Sequence, residues 1–211
     1  MNINIEKEKR SLNMNKIKAI TIEDNIDFLR QVSKEVVLPD SELENDIKIL
    51  DEYCMENSVM AMAAIQLGIN KRIIYLKNTN LDIINKIQNN EDVEDVNERR
   101  ILINPVITNR EGLTEYWEAC ASCLNKMGLV RRPYKMELEY LDLDGNKHKE
   151  TFVGFESTVL SHEYDHLDGI LHIDKSIKIY DMDREERKKF RKDHPYKIIY
   201  ENGSFEKLKD K

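Results

Sequence analysis

ESTVLSHEYDHLDG, residues 156–169, is the stretch from which the rest of the chain can be read. On a helix, residues four apart lie one above the other, so His162 and His166 face the same way and can share one cation. Glu163 stands beside the first imidazole, where its carboxylate can serve as a general base. The spacing predicts a helix over 156–167, with Gly169 placed to end it. Phe155, Thr158 and Val159 lie one and two turns before His162 and share its face, so they are expected to line the space beside the cation. The plain alternative is a helix whose paired histidines arose by chance, with Phe155, Thr158 and Val159 as core packing.

A divalent site needs a third ligand from elsewhere. His148 falls in a polar hairpin turn, and His172 in LDGILHID has no evident geometric link to the helix. Cys120, within TEYWEACASC, offers a soft thiolate suited to iron or zinc beside two imidazoles. A cysteine between alanines also reads well as a small buried hydrophobe. In MAMAAIQLG, residues 60–68, Gln66 is the odd member, because a buried amide must find partners.

Outward from these segments the elements mix. Residues 22–37 carry Ile22, Ile26, Leu29, Val32 and Val36 at helical spacing, with Pro39 as a stop. Ser41 to Glu44 has capping-box form and opens a second helix to about Asn57. RIIYL at 72–76 and RILINPVIT at 100–108 read as strands, and 77–98 as a solvated acidic excursion. YKMELEYLD at 134–142, the Asp144-Gly145 turn and KHKETFVGF form a hairpin. A charged helix is expected over 182–194, followed by YKIIY and an Asn202-Gly203 turn. Helices and strands without regular βαβ alternation favour a single α+β domain.

Composition narrows the function. The chain has 211 residues, and Lys+Arg 33 against Asp+Glu 40 gives a net charge of −7, so nothing asks for nucleic acid as a partner. No apolar run is long enough for a membrane span. The N-terminus shows no signal region, and three cysteines cannot all pair, so a cytoplasmic chain with reduced thiols is expected.

Taken together, the segments resemble the peptide deformylase family over roughly residues 17–175. Ala63, Ala64 and Gln66 match the family's first motif, Glu118, Cys120 and Ser122 its second, and His162 to His166 its third in full, followed by Leu167-Asp168-Gly169. The resemblance implies antiparallel or mixed sheets packed around a central metal-binding helix, with N-terminal helices and a C-terminal helix. Residues 1–15 would then be a mobile tail, 16–180 the catalytic domain, and 181–211 a C-terminal helix and tail. It further implies one divalent ion, Fe2+ foremost and Zn2+, Ni2+ or Co2+ fitting the same ligands, held by Cys120, His162 and His166. Glu163 would be the proton carrier. The Gln66 amide and the Ala121 N–H would steady developing negative charge, and Glu118 would support a ligand from behind. The implied reaction removes the formyl group from the N-terminal methionine of new polypeptides and releases formate. The substrate would be an N-formylmethionyl peptide or nascent chain, met through a transient ribosome contact by a monomer. The basic stretch REERKKFRK at 184–192 could make that contact, although Glu185 and Glu186 also suit a solvated face.

Several positions depart from the family pattern, among them Ile65 where it has proline and Ala121 where a larger apolar residue is common. Val59, Ala61 and Ala119 stand where glycine is expected, and added side chains restrict close backbone approach. Val59 and Ala61 belong to the expected peptide-binding edge. The alternative is therefore a deformylase-like protein with weak or no turnover, a metal-stabilised module that binds peptides or a partner. A general metallopeptidase is a third reading.

Overall fold

A computed structural model of the chain describes residues 17–77 and 99–210. The expected tail and residues 78–98 of the acidic excursion lie outside the described residues.

Helix α1 (Ile22–Leu29) opens on a capping box: Thr21 Oγ1 accepts the Asp24 N–H at 3.2 Å, and the Asp24 carboxylate accepts the Thr21 N–H at 3.0 Å. It stops far short of the expected Val37. Beyond it the backbone finds better partners than a helix offers. The Ser33 N–H donates to Leu167 O at 2.7 Å, and the Asn104 amide brackets the Val36 N–H and C=O at 2.8 Å each. Of the apparent stripe, Leu29 and Val36 are buried but Ile26 and Val32 are exposed, so it is not one continuous buried face. Helix α2 (Leu43–Glu56) buries Leu43, Ile47, Leu50 and Tyr53 as expected, but starts from Glu42 with no side-chain cap.

Among the described residues all strand pairs are antiparallel, and the expected mixed character comes down to one parallel bridge, Lys34 to Lys71. The sheet order runs β1 (Ala61–Ala63), β2 (Ile73–Lys77), β3 (Arg99–Ala119), β4 (Lys126–Arg132), with β7 (Lys178–Asp181) outermost. The hairpin of β5 (Lys135–Leu141) and β6 (Lys147–Val153) joins along β3. β3 is thus the hub. Its register against β5 shifts between Ile103 and Val106, where Pro105 has no N–H to give.

Helix α3 (Phe155–Leu167) carries both histidines and packs against β1, β2 and β6. Leu160 and Leu167 join Ile74, Leu76, Leu102 and Phe152 in one apolar cluster. Ser157 and Ser161 turn inward at little volume and bond to Pro133 O and Ser157 O, which lets a polar helix sit in the interior. Gly169 ends the helix segment at φ +71°, where a Cβ would stand 2.3 Å from Arg30 O. Any other residue there is opposed both by conformation and by space.

The short helix α4 (His172–Lys175) leads to β7. Helix α5 (Arg184–Asp193) matches the expected charged helix and docks Phe190 edge-on to Trp117 at 5.0 Å. The expected tail beyond it is structured. β8 (Lys197–Ser204) pairs with β3 and leads into α6 (Phe205–Leu208). Asn202-Gly203 lies inside β8 rather than in a turn, at a register shift opposite Gly112. Gly112 has φ +70°, and a Cβ there would fall 2.5 Å from Tyr200 O, so the two glycine positions let β8 bulge against β3.

Candidate metal centre

Three segments converge on one side of β3. β1 runs into a 3-10 turn, Ala64–Leu67, that carries Gln66. β3 ends at Ala119 and hands over to Cys120, which precedes a second 3-10 turn, Ala121–Cys123. α3 brings His162, Glu163 and His166.

The donor atoms of Cys120, His162 and His166 all lie within 4.8 Å of one another, and Cys120 Sγ is 3.2 Å from His166 Nε2. The imidazole centroids are 5.0 Å apart. A thiolate and two imidazoles at this spacing fit a tetrahedral divalent ion with one open position, given bonds of about 2.0–2.3 Å. Negative neighbours do the same for a proton: burial pushes His162 down, but Cys120 and Glu118 more than reverse it and hold the imidazole well above its ordinary pKa.

Behind His162 stands a buried charge relay. Its Nδ1 bonds Glu118 Oε2 at 2.8 Å, leaving Nε2 for a cation. Arg132 grips both Glu118 oxygens at 2.8 and 2.9 Å and also bonds Asp165, which Lys175 meets at 2.6 Å. Burial alone would raise Glu118, but the Arg132 guanidinium and its hydrogen bonds outweigh it and keep the carboxyl ionised far below its usual range. Glu118 therefore fixes the ring and its tautomer. Glu118→Gln is expected to weaken zinc affinity by about 10–100-fold, measured by competition with a chelator; unchanged affinity would deny the role.

Glu163 is buried and held through Oε2 by the Ala63 N–H at 2.8 Å. Burial, with Cys120 adding to it, pushes the carboxyl up to about 7. An acid that is neutral when folded but ionises near 4.5 when unfolded loses stability for the fold as pH rises through that window. The metal-free chain should lose on the order of 3 kcal/mol between about pH 4.5 and 7, and Glu163→Gln should abolish that slope. Urea midpoints of both proteins across this range check it; parallel curves would contradict it.

Gln66 answers the question its sequence context raised. Its Oε1 accepts the Ala63 N–H at 3.2 Å, and its Nε2 lies 3.1 Å from Ser122 Oγ and 3.2 Å from Cys120 Sγ. A pocket of roughly 270 Å³ opens beside the cluster, and Val59, Ala61, Phe155, Thr158 and Val159 all line it, as do Gln66, Glu118 and Ala121. Its wall also includes Tyr116 from β3 and Arg191 from α5, which sequence reasoning missed. Arg191 lies over the Tyr116 ring at 5.2 Å and donates twice to Trp117 O. Arg132 was missed too, although a charged residue at an inward strand position was a usable signal. His172, expected to be uncoupled, is buried and stacks on His162 at 5.6 Å.

A model of the polypeptide deformylase family matches residues 16–183. The chain belongs to that family. The peptide deformylase of Pelagibacter ubique is 36% identical over 165 residues, covering 77% of this chain and 88% of that protein. That of Finegoldia magna is 30% identical over 163 residues, covering 77% and 91%. Among solved deformylase structures, a probable peptide deformylase from synechococcus phage S-SSM7 aligns with TM-score 0.64 at 31% identity, over 75% of this chain and 99% of that one. A peptide deformylase from Synechococcus elongatus, solved with actinonin, gives TM-score 0.64 at 27% identity over 85% and 88%. Helix α5 and strand β8 lie beyond the stretch that the family model matches, so Arg191 comes from outside it.

Proposed function

We propose that the chain is a peptide deformylase: a metal-dependent hydrolase that removes the formyl group from the N-terminal methionine of new polypeptides. The observation that carries this reading is the meeting of Cys120, His162 and His166 with Glu163 beside a pocket of roughly 270 Å³ walled largely by apolar side chains.

The substrate has an edge to bind. β1 is the last strand of its sheet, and Met60 O accepts the Lys77 N–H at 2.7 Å, so Met60 and Met62 serve β2. By alternation, Val59, Ala61 and Ala63 turn their backbone groups to the free edge, where the Ala63 N–H meets Glu163. A formylated peptide added as a strand along Val59 and Ala61 would put its first side chain against the Tyr116 and Phe155 rings, which pack edge to face at 5.1 Å in the pocket wall, and its formyl group over the cluster. The side chains at 59 and 61 form part of the pocket wall, so their effect falls on which peptides fit.

A divalent ion on Cys120, His162 and His166, Fe2+ by resemblance, would supply Lewis acidity and a water acidified towards neutrality. Glu163 has one oxygen anchored on Ala63, which leaves the other to take the proton from water and return it to the departing amine. Gln66 and the Ala121 N–H border the same space and are the donors for negative charge on the former carbonyl oxygen. Three buried cysteines, unpaired among the described residues, suit a reducing compartment such as the cytoplasm. The nascent-chain substrate suggests work near the ribosome, and the outward lysines of α5 are the surface we assign to it.

Formate release from a formyl-Met-Ala-Ser peptide by anaerobically prepared, iron- or nickel-loaded chain tests the proposal. Turnover well above a metal-only blank is expected. Tight peptide binding without formate would instead favour the non-catalytic module.

A further inference from the structure

A second set of metal-ligating side chains stands behind the first. Cys120 Sγ, Cys123 Sγ and a ring nitrogen of His172 also lie within 4.8 Å of one another. The tight turn accounts for the sulfurs: the Cys123 N–H donates to Cys120 O at 3.1 Å, which folds the two cysteines back towards each other. His172 arrives from the start of α4, 1% exposed; its ring reaches towards the Lys126 backbone carbonyl, a contact outside good hydrogen-bond geometry, and no other partner serves its nitrogens among the described residues. Even with that contact one ring nitrogen is buried unpaired, which is unfavourable unless something else bonds to it. Cys123 is fully buried and unpaired as well. The surroundings are apolar, with Leu29 and Leu171 in the same cluster and Ile20 and Ile22 packed against it, which excludes competing water.

We propose that Cys123, His172 and a shared Cys120 thiolate form a second cation position, one that takes a thiophilic divalent ion such as zinc beside the catalytic ion. Two thiolates and an imidazole are a soft donor set, and a thiolate has lone pairs enough to bridge two metals. On binding, the cation exchanges hydration water for sulfur and nitrogen, and the Cys123 thiol gives its proton to solvent; no redox change is involved. This position requires Cys120 as a ligand but is independent of turnover. The cluster of Cys120, His162 and His166, backed by Glu118, leaves Cys123 without a role.

The test uses the full-length chain, stripped of metal, kept reduced and titrated anaerobically with zinc, and with cobalt to read thiolate-to-metal absorption. Bound metal is counted by elemental analysis after desalting. The wild type is expected to retain two ions per chain, Cys123→Ser and His172→Phe one each. His162→Ala is expected to keep one ion together with its thiolate-to-cobalt band, because both thiolates of the second position remain. Circular dichroism of each variant confirms folding, and phenylalanine keeps a planar ring at position 172 while removing both nitrogens. Saturation at one ion that is lost in His162→Ala and kept in Cys123→Ser overturns the second position and leaves the catalytic one standing. Two ions retained in both Cys123→Ser and His172→Phe overturn it equally. A single ion lost in Cys123→Ser but kept in His162→Ala supports the second position and overturns the catalytic trio.

Discussion

Glu163→Ala should lower kcat for formate release by about 10²–10⁴-fold, the usual worth of a positioned general base. Metal content should stay at the wild-type level, because no donor to the cation is removed. The effect arises from a side chain that is already oriented: one oxygen is pinned by the Ala63 N–H, and the carboxyl is buried next to His162 and Cys120. Methyl truncation leaves the ligands in place and takes away the carboxyl that stands between β1 and the imidazoles and can carry a proton both ways. Steady-state kinetics on a formyl-methionyl peptide, paired with elemental analysis of the same sample, measures both quantities. Retention of wild-type kcat with metal bound would remove Glu163 from the chemistry.

Arg132→Met should destabilise the fold by about 3–5 kcal/mol, the cost of stranding buried carboxylates without their cation. Glu118 is 4% exposed and Asp165 7%, and Arg132 bonds to both. Lys175 would still serve Asp165, but Glu118 would keep only His162. The pH dependence has a definite sign. Both carboxyls are held below their ordinary values when folded, so their contribution is present above an unfolded pKa of about 4 and fades as pH falls. The gap between wild type and variant should therefore be widest at neutral pH and narrow below about pH 4. Denaturant unfolding at several pH values decides it; a gap independent of pH would mean that Arg132 acts by packing alone.

What could be read from the sequence follows from how each group is encoded. The pair on α3 was plain, because helical period alone aligns His162 with His166 and Glu163 beside them. Cys120 carried no such mark. Its partners lie 42 and 46 residues onward in the chain and meet it only because β3 and α3 pack together, so only the family pattern singled it out. The pocket face of α3 was correct for the same helical reason, whereas Tyr116 and Arg191 come from a strand and a helix whose meeting no local pattern encodes. Helix α1 was overextended because Val32 and Val36 happen to fall at helical spacing. Distant backbone and side-chain groups, Leu167 O and the Asn104 amide, won that segment instead. Asn202-Gly203 has the composition of a turn, but a neighbouring strand with its own glycine at 112 can absorb the same positive φ as a bulge.

The account depends on one cation joining β3 to α3. A crystal of the full chain grown with nickel or zinc, with data collected at the metal edge, locates that ion directly. A strong anomalous peak within about 2.0–2.3 Å of Cys120 Sγ and of both the His162 and His166 imidazoles, with the Glu163 carboxylate facing its open side, is the predicted result, whether or not a second peak lies on Cys123 and His172. A metal bound elsewhere, with the Cys120 sulfur turned away from the two rings, would contradict it.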